Sequence, residues 1–220
     1  MSAYEPPWRL TGTALVIVFA ASKRRAEAFG ALPESLQGRA PGGAGAIVLA
    51  DYRESAVGPY RELLLAPGHY RAGRDAGHAV TRIYVDSRAS AEAGRANWGL
   101  PKQTARLSAG FGPDGLWRFA GSPAPEAAED APAFALSARP CGPRFPVPLG
   151  ALPARLMQED GGTRFLTRPG GQATGRLARI VRAEADESFF PHPGRFGPGI
   201  CVLLESFSLT FPPAEKVDAD

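Results

Sequence analysis

Apolar residues fall along this chain in short runs, some continuous and some alternating with polar ones, and prolines and glycines punctuate them. Thr13 to Phe19, TALVIVF, is β-branched without polar alternation, which predicts a strand buried on both faces. Ala46 to Tyr52 and Glu62 to Ala66 predict two further strands, joined by a turn around Gly58 and Pro59, with one carboxylate at the start of the second. His78 to Asp86 alternates, with Val80, Ile83 and Val85 apolar. A strand from Lys102 to Ala109, a glycine-rich turn and a return strand around Trp117 to Ala120 read as a hairpin. Phe134 to Ala138 and Phe145 to Leu149 predict short strands interrupted by prolines, with an exposed loop before them from Ser122 to Pro132. Met157 to Arg168 predicts a second hairpin with Gly161 and Gly162 at its tip. Gly175 to Asp186 and Ile200 to Phe211 predict two longer strands.

Helical signals are few. Lys23 to Phe29 predicts a short helix, and Arg88 to Ala93 predicts another, capped by Asp86 or Ser87 and ended by Gly94 as its C′ residue. Pro6, Pro7 and Trp8 predict an extended arm laid on the body. Twenty-six glycines and 22 prolines in 220 residues are too many for a helical bundle and fit short strands joined by turns. The expected fold is therefore mainly β, a closed or partly closed antiparallel barrel with a few short helices, because that many strands need their edges hidden. No repeat period and no internal boundary stands out, so residues 1–220 read as one domain.

Charge narrows the function classes. The net charge of +3 is dispersed rather than blocked, which argues against nucleic acid as a partner. Cys141 and Cys201 without a secretory signal read as reduced thiols, and the longest apolar run, Ala14 to Ala21, is too short to span a bilayer. The expected setting is soluble and cytoplasmic. His69, His78 and His192 have no metal-ligand spacing, and neither a phosphate-binding glycine loop nor a Gly-x-Ser-x-Gly elbow occurs. No metal and no cofactor is expected.

One lysine remains. Among 25 basic residues only Lys23, Lys102 and Lys216 are lysines, and Lys102 follows Trp98, Gly99, Leu100 and Pro101. Proline belongs at the first residue or edge of a strand, so Lys102 projects from a strand start beside apolar bulk. Burial there disfavours the ammonium and makes the amine a nucleophile suited to Schiff-base chemistry. The alternative is a surface lysine with its stem along Trp98 and its charge in water. Arg95 reads as a helix-end cation favoured by the dipole.

Three pieces, SAVGPYRE from Ser55 to Glu62, the strand ending at Tyr84 to Ser87, and GRANWGLPKQ around Lys102, occur in the order found in acetoacetate decarboxylases, which this chain resembles from about Thr13 to Leu107. The resemblance implies a cone-like closed β-barrel, a Schiff-base Lys102 in an apolar interior pocket, an active-site carboxylate at Glu62, and a homo-oligomer. Tyr60 and Trp98 become candidate pocket walls.

It also exposes departures. Acetoacetate decarboxylases place a second lysine after the first, where this chain has Gln103, so desolvation must activate Lys102 without a neighbouring cation. A rough alignment sets the family's pocket arginine near Gly12 and a second acidic residue near Ile47, so both polar groups are missing. The PPW and GLPKQTARL segments also resemble a divergent branch that includes plant proteins linked to carotenoid formation, some without the lysine. Two functions follow from the resemblance. One is a lyase acting on a keto acid or related carbonyl compound through Lys102 and Glu62, by decarboxylation or by aldol and dehydration chemistry. The other is a non-catalytic or accessory protein holding an apolar ligand such as an isoprenoid or carotenoid.

Overall fold

The computed structural model describes residues 4–123, 132–149 and 155–219. Its strands and helices, in chain order, are β1 (Trp8–Ala20), α1 (Lys23–Phe29), β2 (Ala44–Glu54), β3 (Tyr60–Ala66), β4 (His69–Ala72), β5 (Asp75–His78), β6 (Arg82–Val85), α2 (Arg88–Trp98), β7 (Lys102–Thr104), β8 (Arg106–Phe111), β9 (Trp117–Ser122), β10 (Phe134–Val147), β11 (Leu156–Asp160), β12 (Thr163–Thr167), β13 (Gly170–Ala185), β14 (Gly199–Phe211) and β15 (Glu215–Asp218). Among the described residues these form a ten-stranded sheet ordered β7, β6, β3, β2, β1, β14, β13, β10, β9, β8 and a five-stranded sheet ordered β15, β12, β11, β5, β4. No helix among them is long and apolar enough to cross a membrane.

The large sheet curls until its ends almost meet. Its first and last strands, β7 and β8, are consecutive in the chain, and the residue between them, Ala105, donates its N–H to the Val85 carbonyl at 2.9 Å. β8 also lies against β3 and β2, the third and fourth strands from the far edge. The result is the mainly β, nearly closed barrel that turn-rich sequences of this kind favour, with its edges folded against each other.

Successive side chains on a strand point to opposite faces, and here each face has its own apolar interior. The enclosed face gathers Leu15, Ile17 and Phe19 of β1, Leu49 of β2, Leu63 and Leu65 of β3, and Trp117 and Phe119 of β9. The other face of β1, β2, β3, β6 and β14 gathers Trp8, Leu10, Tyr52, Tyr60, Ile83 and Phe207 with Ala91, Ala93 and Trp98 of α2. The continuous apolar run from Thr13 to Phe19 is explained in part by this: Thr13 to Leu15 are covered on both sides, whereas Val16 is half-buried and Val18 is exposed.

Some elements differ from expectation for identifiable reasons. Of the expected arm, Trp8 opens β1 and is only 1% exposed, while Pro6 and Pro7 precede the strand. The alternating 78–86 segment is split between β5 and β6, which lie in different sheets. The two strands expected around the prolines at 140, 143 and 146 are one strand, β10, whose pairing with β13 skips between Cys141 and Phe145. The turn at 161–162 is as expected, since both glycines have positive φ, 55° and 76°, as a two-residue hairpin loop requires. The exposed loop expected from Ser122 to Pro132 lies largely outside the described residues.

The helix α2 overruns Gly94. Ser87 caps its start by accepting the Ser90 N–H at 3.2 Å, and the helix continues to Trp98 before Gly99, at φ 62°, ends it in the left-handed conformation. Gly94 is thus an interior helix position, where glycine is costly. Its reason is packing: a Cβ there would stand 2.6 Å from Lys102 Cδ and 2.8 Å from Cε.

Candidate active site

α2 is the crossover between β6 and β7, which pair in parallel with Ile83 opposite Lys102. The helix ends at Gly99, the chain passes through Leu100 and Pro101, and Lys102 opens β7. Arg95, in the last helical turn, donates from Nε to the Lys102 carbonyl at 2.9 Å, so the expected helix-end cation is also the clamp on this strand start. Ser90, Gly94 and Trp98 follow one another at intervals of four along α2, so they share one helix face.

Lys102 is buried, 4% exposed, as is Glu62. Its Nζ stands 2.7 Å from Glu62 Oε2, donates to Ser90 Oγ at 3.0 Å, and lies 5.2 Å from the centre of the Tyr60 ring. Tyr52 donates its hydroxyl to the other carboxylate oxygen, Glu62 Oε1, at 3.0 Å. Tyr52 and Tyr60 are cross-strand partners with ring centres 4.6 Å apart. Burial, and after it the charge of Glu62, pushes the hydroxyls of both tyrosines well above the usual range, Ser90 opposing this at Tyr60. Both therefore remain protonated at neutral pH, and Tyr52 serves as a hydrogen-bond donor to Glu62.

A cavity of about 180 Å³ opens beside the amine, and Lys102, Glu62, Tyr60 and Trp98 all line it. Its other walls are apolar, among them Trp8, Leu10, Val48, Leu64, Leu209 and Phe211. Trp98 is fixed by its Nε1 hydrogen bond to the Pro212 carbonyl at 2.8 Å and by edge contacts with Trp8 and Phe211, at 5.0 and 4.8 Å between ring centres. The cavity lies on the α2 side of the large sheet, behind the barrel interior: Glu62 points into it while its neighbour Leu63 points into the barrel.

The four residues singled out in the sequence are thus brought together. Ser90 and Tyr52 went unnoticed. Neither has a distinctive spacing in the sequence: the face Ser90 shares with Gly94 shows only once α2 is in place, and the register of Tyr52 opposite Tyr60 only when β2 and β3 are paired. Near Ile47, where a rough alignment sets the family's second acidic residue, Ile47 faces the barrel interior and its neighbour Val48 lines the cavity. The histidines expected to be scattered are partly not: His69 and His78 pair across β4 and β5 with ring centres 5.3 Å apart. Among the described residues, however, no three His, Cys, Asp or Glu side chains converge where a metal ion could be held.

A nearly closed β sheet with an apolar cavity and a buried lysine–glutamate pair defines a class before any comparison is made. The chain belongs to the acetoacetate decarboxylase family, whose model matches residues 1–110. No curated protein matches the sequence. Among solved structures, similar folds include the enduracididine biosynthesis enzyme MppR with HEPES buffer bound, at 14% identity and a TM-score of 0.65 over 98% of this chain and 89% of that one. MppR has also been solved with pyruvate and with the condensation product of pyruvate and imidazole 4-carboxaldehyde. Acetoacetate decarboxylase from Legionella pneumophila subsp. pneumophila str. Philadelphia 1 matches at 14% identity and a TM-score of 0.65, over 97% of this chain and 88% of that one. An acetoacetate decarboxylase-like enzyme from Sphingomonas wittichii RW1 matches at 13% identity and a TM-score of 0.59, over 98% and 94%. At these identities the likeness is one of fold.

Proposed function

We propose that this protein is a lyase that forms a Schiff base between Lys102 and the carbonyl of a keto acid or related compound. The observation that carries the reading is the Lys102 amine, buried at the wall of an apolar cavity and 2.7 Å from a carboxylate. Glu62 takes a proton from the ammonium, and the freed amine adds to the carbonyl carbon. The carbonyl oxygen leaves as water, taking up the proton Glu62 holds and one from the attacking nitrogen, and an iminium remains. In a β-keto acid the electrons of the bond to the departing carbon dioxide flow into that iminium. The resulting enamine is protonated and hydrolysed, which returns the lysine. Tyr52 holds the Glu62 carboxylate in line through its hydrogen bond, and Tyr60 and Trp98 wall the substrate. The family membership and the MppR complexes with pyruvate and a pyruvate condensation product support carbonyl chemistry on this scaffold.

A second reading, an apolar-ligand carrier, draws on the same amine being occupied by both Glu62 and Ser90 in otherwise apolar walls. Reductive trapping separates the two. Incubation with carbonyl compounds and borohydride should add the reduced adduct's mass to the peptide carrying Lys102, and Lys102→Met should abolish it. Failure of every carbonyl probe to label Lys102 leaves the carrier reading in place.

A further inference from the structure

We infer that this cavity selects uncharged, apolar aldehydes and ketones about the size of a benzene ring, and discriminates against keto acids. The inference rests on the Schiff-base reading for its chemistry and on the cavity alone for its selectivity.

Charge is the first reason. The cavity wall contains one cation, Lys102, and one anion, Glu62, in contact at 2.7 Å, so the site is already neutral. No other basic side chain lines it among the described residues, and residues 1–3, 124–131, 150–154 and 220 carry none. Arg95 is committed to the Lys102 carbonyl and Arg61 to Asp51 and Asp86. A substrate carboxylate would enter a dry site without a counter-charge and beside Glu62, and an unpaired buried charge is among the most unfavourable placements in a protein.

Hydrogen bonding gives the same answer. Both Glu62 oxygens are engaged, one by Tyr52 and one by Lys102, and Ser90 accepts from Lys102. The amine keeps one donor for a carbonyl oxygen, which is what a simple aldehyde or ketone needs and less than a keto acid needs. Size completes the case. At about 180 Å³ the cavity is slightly larger than the roughly 150 Å³ apolar cavity that takes up benzene, and its aromatic walls suit a flat or branched hydrocarbon body.

Such a substrate has no carboxylate to shed, which redirects the chemistry. From the iminium, Glu62 as a carboxylate removes a proton from the adjacent carbon, and the C–H electrons form the enamine. The enamine carbon then attacks the carbonyl carbon of a second aldehyde, whose oxygen takes the proton from Glu62. Water hydrolyses the iminium and releases lysine and product. The reverse sequence cleaves a β-hydroxy ketone.

The test uses matched probes on the intact chain. Reductive trapping is run with phenylacetaldehyde and cyclohexanone against phenylpyruvate and acetoacetate, with the exposed Lys23 and Lys216 peptides as internal controls. In parallel, quenching of tryptophan fluorescence is followed with benzyl alcohol against benzoate, which differ in charge and contain no reactive carbonyl. The expected result is at least about tenfold more adduct at Lys102 from the neutral probes, and at least about tenfold tighter binding of benzyl alcohol than of benzoate. Preferential trapping of the keto acids, or equal binding of benzoate, overturns the inference. No trapping at all with the alcohol still preferred removes the Schiff-base chemistry and leaves the selectivity standing.

Discussion

Strand β3 contributes to both interiors of the molecule, and its two faces show how differently they are built. Leu63 and Leu65, on the barrel side, meet Phe119 and Trp117 among other hydrocarbon groups. Tyr60, Glu62 and Leu64, on the α2 side, meet an ammonium, two phenols and a cavity. The barrel face gains stability from close packing. The α2 face gives some of it up, because it buries two charges and leaves space beside them. A single strand can do both because its side chains alternate, and the packed face fixes the backbone from which the polar face projects.

Substitutions at the ion pair and in the barrel break this comparison most directly. Phe119→Ala should lose about 3–5 kcal/mol in urea unfolding, through the cavity it leaves in the barrel. Lys102→Met should lose a similar amount, about 3–5 kcal/mol, because Glu62 is stranded without its partner. The difference lies in rescue. Lys102→Met combined with Glu62→Leu should return to wild-type stability or exceed it by about 1–4 kcal/mol, while trapping stays abolished. If the double variant is as unstable as Lys102→Met alone, the α2 face is ordinary core and the contrast fails.

A pair of glycines sharpens the comparison. Gly94→Ala presses on the Lys102 stem, so its rate of adduct formation should fall by about a hundredfold, as expected when a reacting group is displaced by an ångström, with little loss of stability. Gly121→Ala presses instead on the Leu107 side chain, at 2.8 Å, in the barrel. It should lose about 1–3 kcal/mol of stability and keep its trapping rate. Equal effects of the two on trapping would count against a local role for Gly94.

The smallest effect is on alkaline stability. Tyr52 and Tyr60 keep their protons in the folded state through a pH range where the unfolded chain has lost them, because burial and then Glu62 raise both. The native state binds more protons there, so stability should fall as pH rises through the unfolded tyrosine value of about 10. Unfolding curves on either side of that pH check it, and replacing both tyrosines by phenylalanine should flatten the decline.

Most strands could be read from the sequence because apolar alternation is set by the pleat, and the run from Thr13 to Phe19 announced a strand that is covered on both sides through its first half, though not at Val18. What could not be read follows from contacts remote in the chain. Gly94 resembles a helix stop in isolation and is a clearance for a side chain eight residues away. β15 lacks an apolar run, since Glu215, Lys216, Val217 and Asp218 are mostly solvated, and it forms only because β12 offers an edge. At the candidate site, Lys102 and Glu62 stood out through their resemblance to a family pattern, and Trp98 through its position beside the lysine. Ser90 and Tyr52 did not, because a serine in a helix and a tyrosine ending a strand have no distinctive spacing until the helix is laid over the paired strands.

The join between β7 and β8 has a consequence for how the fold and the amine depend on each other. Lys102 sits three residues before Ala105, where the chain passes from the first strand of the curled sheet to the last and the Ala105 N–H is held by the Val85 carbonyl of β6. The residue that would carry the chemistry therefore rides on the clasp of the barrel. Slackening that clasp loosens the wall and shifts the amine together, so protection of the Ala105 amide from hydrogen exchange and the reactivity of Lys102 should rise and fall as one.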